Sequence, residues 1–278
     1  MSRSYYYLIA SLPDLTIEGN KNVPGFAEFI DDVIPQVHPS DAGPLKTLRL
    51  PVDNRNLIAI LEKKDTFEEG GNFSKEELEE EIKVPSEAPG YMQIFLEAHK
   101  EGKALFTGFS SEDQLTWLFY DAMTRHENEF IREWFTFDMN MRNVLAGFNC
   151  RDAAKHEKET PFPLTTTILG RNDVAELVLK SNAPDFSVAS MFPQVERLLS
   201  LDNSDLVEYE KGVDTLRWDF CNELTTFTYF QIETMCAFCI KLGIVERWMQ
   251  LDPQEGKKKL DRLVDELVSG FQFSEDFQ

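Results

Sequence analysis

Cys236-Ala-Phe-Cys239 puts two thiols one helical turn apart, the spacing used by zinc sites and redox pairs. Zinc needs two further ligands, and a redox pair sits at an exposed helix N-terminus. This pair lies mid-segment among Ile232, Phe238 and Ile240, so it reads as core cysteine. Asp31-Asp32-Val-Ile-Pro35 begins like the aspartate-rich magnesium motif of isoprenoid synthases, but proline stands where the third carboxylate is needed. The later Asn172-Asp173 segment has Glu176 and Lys180 where that chemistry needs a hydroxyl and a carboxylate. Without those oxygens no magnesium-diphosphate cluster assembles, and a solvated helix face is expected. His38, His99, His126 and His156 are far apart, and none belongs to Glu-x-x-His or His-x-x-x-His. His126 falls on an apolar stripe and reads as a core imidazole. Neither a glycine-rich phosphate loop nor a Gly-x-Ser-x-Gly elbow occurs. These residues predict no enzyme, no cofactor and no metal.

The densest polar group inside an apolar segment is Phe-Thr-Phe-Asp-Met-Asn-Met-Arg-Asn-Val-Leu-Ala-Gly-Phe-Asn-Cys-Arg, residues 135–151. Asp138 and Arg142 are four apart, so on a helix their side chains meet. They continue a stripe that starts with Ile131 and Phe135 and runs on to Leu145 and Asn149. If another helix covers it, the pair is desolvated, and Asn143, Asn149 and Arg151 are the candidates to supply the hydrogen bonds that a buried charge requires. The alternative is a solvated helix end. The expected structural polar knot is therefore Asp138, Arg142, Asn143, Asn149 and Arg151, a device for helix register rather than catalysis.

The elements that would position this knot are helices. Apolar residues at 26, 29, 30, 33 and 34 make one helical face that Pro35 ends, and Pro51 opens a second helix containing Leu57, Ile58, Ile60 and Leu61. Ser74-Lys-Glu-Glu77 has the form of a capping box for a short solvated helix over 75–83. Ser111-Glu-Asp-Gln114 is a second such signal. From it one helix is expected as far as His156, since no proline interrupts, with Gly147 marking a kink or its end. Further helices are expected over 173–180, 187–199, 204–248 with a bend near Gly243, and after Leu251-Asp-Pro. Leu164-Thr-Thr-Thr-Ile-Leu169 is the best short strand candidate and has no partner. The fold expected is all-α, long antiparallel helices in packed, funnel-like bundles. Its divisions are an N-terminal helical segment (1–66), an acidic exposed connection (67–90), a long-helix bundle (91–159), a linker (160–170) and a C-terminal helical bundle (171–278), together one compact helical protein.

Composition narrows the partners. The 278 residues carry 49 acidic against 28 basic side chains, a formal charge of -21, which repels phosphate backbones and anionic lipid. Nucleic acid and direct membrane insertion are thus not expected, whereas basic partners are open. Hydrophobic residues at 42%, with 22 Phe, are too many for a disordered acidic chain. No run of about 18 uncharged apolar residues occurs, and the N-terminus lacks a signal-peptide pattern, so a cytoplasmic protein with reduced thiols at Cys150, Cys221, Cys236 and Cys239 is expected.

Three places carry a family resemblance. Tyr5-x-Tyr7-Leu8-Ile9-Ala10 resembles the start of the C-type subunit of archaeal and bacterial A/V-type ATPases, the relative of the d-type subunit of eukaryotic V-ATPases. Arg142-Asn143, ending in Arg151, is similar to that family's Asp-x-x-Asn helix with a following arginine, although Asn140 replaces the aspartate and the arginine arrives two residues late. Phe230-x-Ile232-Glu233, followed by Ala237-Phe238, Lys241 and Glu246-Arg247, resembles its late helix, with phenylalanine for tyrosine and the glutamate displaced by one. Closer still is the resemblance to a poorly characterised bacterial family encoded alongside V-type ATPase subunits. The resemblance implies a funnel-like, non-catalytic subunit that couples the central stalk to the membrane rotor ring and is held at the membrane peripherally through those partners. The other reading is a soluble acidic helical scaffold or regulator unrelated to ATPases.

Overall fold

The computed structural model of the chain describes residues 3–17, 23–155 and 163–251. It is all-α: twelve helices and no strand occur among the described residues. In chain order they are α1 (Tyr6–Ala10), α2 (Phe26–Val33), α3 (Ala42–Thr47), α4 (Leu50–Leu61), α5 (Lys75–Lys83), α6 (Gly90–Lys100), α7 (Ser111–Met123), α8 (Glu129–Lys155), α9 (Asp173–Lys180), α10 (Gln194–Ser200), α11 (Leu206–Leu224) and α12 (Ile232–Gln250). His156 and the helix expected after Leu251 lie outside the described residues.

One hydrophobic core runs from Phe29 and Ile30 of α2 to Leu242 of α12. Because α12 packs on α2 and α3, the first helices and the last share it. Phe29 meets Phe238 with centroids 4.8 Å apart, and Phe137 of α8 stacks on Phe220 of α11 at 4.0 Å. Glu246 of α12 accepts the Phe26 N–H at 3.2 Å and so caps the start of α2 from across the molecule.

The expected helix over 111–156 is two helices. α7 ends at Met123, and the turn to α8 contains neither proline nor glycine. Polar side chains build it instead. Thr124 Oγ1 donates back to the Tyr120 carbonyl, Asn128 Oδ1 caps the Ile131 N–H, and His126 Nδ1 accepts from the Asn128 N–H. His126 is therefore half-buried in a turn, not a core imidazole. α7 starts one residue earlier than its sequence signal. Ser110 is the residue with extended backbone, and it accepts from the Asp113 N–H. Gln114 does not reach back to the cap; it holds the preceding loop through the Leu105 N–H and the Phe109 carbonyl. The Ser74–Glu77 capping box forms as expected.

Three further expectations are corrected. The stretch 204–248 breaks at 225–231 rather than bending at Gly243, because Thr225 and Thr226 turn their hydroxyls back onto the Cys221 and Asn222 carbonyls in a β-branched and aromatic run that favours helix weakly. Leu164–Thr166 is a 3-10 turn, not a strand. The backbone beyond it needs no neighbouring strand, since the Asn143 amide takes both the N–H and the carbonyl of Leu169, at 2.8 and 2.9 Å. Within 187–199 only the last residues are helical, as α10.

The acidic segment after α4 is anchored. Asp53 of α4 is fully buried and accepts from the Asn72 N–H (2.7 Å), Asn72 Nδ2 (2.7 Å) and the Phe73 N–H (3.2 Å). The chain passes so close that a Cβ on Gly71 would lie 2.3 Å from Asp53 Oδ1. Leu78 of α5 is fully buried, and the Glu81 carboxylate gathers the N–H groups of Ser86, Glu87 and Ala88.

Candidate functional site

α8 packs against α7, α9 and α11, and α11 packs against α12. Asp138 sits where three of these helices meet, buried, with its carboxylate shared by three donors. Tyr120 of α7 donates its hydroxyl at 2.5 Å, Arg142 its Nε at 3.1 Å, and Arg217 of α11 its Nε at 3.3 Å. Arg217 also donates Nη1 to Asp214 at 2.9 Å. Asp214, equally buried, accepts from Arg247 and from Trp248 Nε1 (2.9 Å) on α12. Arg247 reaches on to Glu210 at 3.5 Å. Three carboxylates thus alternate with three guanidiniums across α8, α11 and α12, and the Tyr120 hydroxyl adds α7. Each buried charge is paired and hydrogen-bonded, the condition under which desolvation is tolerated.

Burial opposes the charge of Asp138, but the Arg142 and Arg217 guanidiniums and the Tyr120 hydroxyl outweigh it and hold the carboxyl below its usual range. Burial, with the negative Asp138 beside it, pushes the Tyr120 phenol up, so it stays a donor. Neither Asp138 nor Tyr120 changes protonation near neutrality. Their chemistry is that of a fixed electrostatic lock.

The expected polar knot is only partly assembled. Asp138 and Arg142 pair as the spacing predicts. Asn143 lies roughly 140° around the helix from Asp138 and bonds Leu169 instead. Arg151 lies on another face. It closes the C-terminus of α9 by donating to the carbonyls of Ser181 (2.6 Å), Ala183 (2.6 Å) and Pro184 (3.3 Å), and it lies over the Phe186 ring at 3.6 Å. Asn149 follows the Asp138 stripe but stands roughly 16 Å further along the axis and is exposed. The partners sequence reasoning missed are Tyr120, Arg217 and Asp214. The available signal was Asp214 and Arg217 interleaved with Val213 and Leu216, an ion pair at i,i+3 inside an apolar face.

A cleft of about 280 Å³ adjoins Asp138, lined in part by Asn54 and Ile58 of α4, Phe119 of α7 and Phe135 of α8. Its two cations are already engaged, Arg55 forked onto Glu68 and Arg142 on Asp138. Cys236 and Cys239 are buried, and burial pushes both thiols well up; Cys221 is pushed up to about 12 by the same cause. Asp31 pairs with Arg49 at 2.5 Å, and Asn172 caps α9 while donating to Asn140. Among the described residues no group of three or more His, Cys, Asp or Glu side chains is placed to hold a metal ion.

The family model described as protein of unknown function, DUF2764, matches residues 1–271. The chain belongs to this family. Neither a curated protein nor a solved structure matches it. The match covers every described element of this DUF2764 chain, including all members of the Asp138–Asp214 network.

Proposed function

We propose that this chain is a non-catalytic subunit of a V/A-type ATPase, coupling the central stalk to the membrane rotor ring. The observation that carries the reading is the buried ion network joining α7, α8, α11 and α12. A coupling element must transmit torque without yielding. α8, at 27 residues roughly 40 Å long, is clamped to its neighbours by charges that cannot slide past one another without being stripped of their partners. The resemblance at Tyr5–Ala10, Arg142–Arg151 and Phe230–Arg247 supports this assembly. The acidic surface complements basic loops on a stalk or ring. No helix of the described residues is long and apolar enough to cross a membrane, so attachment would run through partner subunits.

The alternative, an acidic helical scaffold unrelated to ATPases, shares the charge and the helices but not the partners. Affinity purification of the tagged native chain separates the two. Stalk and ring subunits are expected in the eluate, and a deletion strain is expected to hydrolyse ATP without moving ions. An eluate free of ATPase subunits, or fully coupled pumping after deletion, favours the scaffold.

A further inference from the structure

Five exposed aromatic side chains lie on two adjoining segments. The 225–231 turn presents Phe227 (86% exposed), Tyr229 (67%) and Phe230 (38%), and α1 beside it presents Tyr6 (55%) and Tyr7 (88%). The two segments are fixed to each other. The Tyr5 N–H donates to the Phe230 carbonyl at 2.7 Å, and the Tyr6 and Phe230 rings lie 4.8 Å apart. With roughly 200 Å² for each such side chain, the exposed fractions amount to on the order of 600 Å². That is the upper end of what a monomer shows in one patch and approaches one partner's share of a specific interface.

Charge narrows the occupant. Residues 5–13 and 225–231 contain no Asp, Glu, Lys or Arg, on a chain of net charge -21. A strongly basic soluble partner would find no counter-charge on these two segments themselves, with Asp41, paired to Arg3, and Glu223 only at their edge. A bare anionic bilayer would be repelled by the chain as a whole. A surface rich in tyrosine hydroxyls over aromatic rings suits the water–membrane boundary, where one side of each ring is apolar and the other wet. We propose that this aromatic surface docks on a membrane-embedded protein partner whose contact surface is apolar and uncharged. Resting on the function proposed above, that partner is the rotor ring, and the acidic remainder of the surface faces the stalk.

The test uses the full chain, the purified membrane sector in phosphatidylcholine nanodiscs, empty nanodiscs of the same lipid, and the isolated stalk. Wild type is expected to bind ring-loaded discs but not empty ones. The Tyr7→Ser/Phe227→Ser/Tyr229→Ser variant is expected to lose on the order of tenfold or more in affinity for the ring and to keep stalk binding. Its helical dichroism should match wild type, because all three side chains are exposed. The Leu206→Ser/Val207→Ser variant removes exposed apolar groups at the opposite end of α11 and should bind the ring normally. Undiminished ring binding by the triple variant overturns this inference alone. So does equal binding to empty discs, which assigns the face to lipid, or dimerisation that the triple substitution abolishes, which assigns it to a second copy. A wild-type chain that binds neither stalk nor ring removes the proposed function as well.

Discussion

Arg217 and Arg142 both hold Asp138, yet their loss should differ in size. Arg217 is mostly buried and bridges two buried carboxylates, whereas half of the Arg142 side chain is in water. Arg217→Ala leaves Asp138 and Asp214 each short of a donor and is expected to cost about 3 kcal/mol, while Arg142→Ala, screened by solvent, should cost about 1. Urea midpoints of the two variants check the ranking, and equal losses would place Arg142 as deep as Arg217. The two buried carboxylates Asp138 and Asp53 also carry opposite pH signatures. Asp138 is held below its unfolded value, so its stabilisation is present above about pH 4 and lost as pH falls through the folded value. At Asp53 burial outweighs the Asn72 and Phe73 donors and pushes the carboxyl up to about 6. The folded state then binds the Asp53 proton more tightly. The stability this confers is full below about pH 4 and is lost as pH rises through about 6, on the order of 3 kcal/mol. Wild type minus Asp53→Asn should therefore be larger at pH 5 than at pH 7.5 in urea titrations, and a difference independent of pH would show that Asp53 is ionised throughout.

Two helical glycines that look alike in the sequence should respond to alanine with opposite signs. A Cβ on Gly147 of α8 would meet Phe186 Cζ at 2.5 Å and Val178 Cγ1 at 2.8 Å, so the glycine is what lets α9 and the following turn approach α8. Helix propensity favours Gly147→Ala by about 1 kcal/mol, but overpacking two buried side chains costs about 1–3, and net destabilisation is expected. Gly243 in α12 has only Phe26 Cδ2 near its Cβ position, at 3.9 Å, so Gly243→Ala should stabilise by about 0.5–1 kcal/mol. Thermal melts of the pair decide both. Gly147 was readable as a weak helix position and not as a contact, because the reason for it lies across space at Phe186. The same logic separates what the sequence disclosed of the fold from what it hid. Helical periodicity and the Ser74–Glu77 box are local properties; the box forms as written, and the periodicity finds the helices but not all of their ends. The breaks after Met123 and Leu224 rest on side chains bonding their own backbone, with no proline or glycine to announce them. Leu164–Leu169 carries strand-like residues but satisfies its backbone through Asn143. Of the candidate site, Asp138 and Arg142 were legible because they share one helix. Tyr120, Arg217 and Asp214 come from two others, and single-sequence spacing does not report what faces a helix.

For the whole molecule, a net charge of -21 beside exposed aromatic side chains on two segments that carry no Asp, Glu, Lys or Arg makes the response to salt diagnostic. A net charge of -21 repels itself within one chain, so raising ionic strength from about 10 mM to 0.3 M shortens the Debye length from roughly 30 Å to under 10 Å and should raise the melting temperature. Association of the acidic surface with a basic stalk should weaken over the same range, chiefly through a slower on-rate. The aromatic side chains Tyr6, Tyr7, Phe227, Tyr229 and Phe230 carry no charge to screen, and their burial is an apolar transfer that salt does not oppose. Binding to the membrane sector should thus hold level or tighten as salt rises while binding to the stalk falls. Surface-immobilised stalk and ring-loaded nanodiscs, each titrated with the chain at low and high salt, give the two slopes. Parallel losses on both surfaces would mean that the acidic groups carry both contacts and that the aromatic side chains do not form the ring-facing surface.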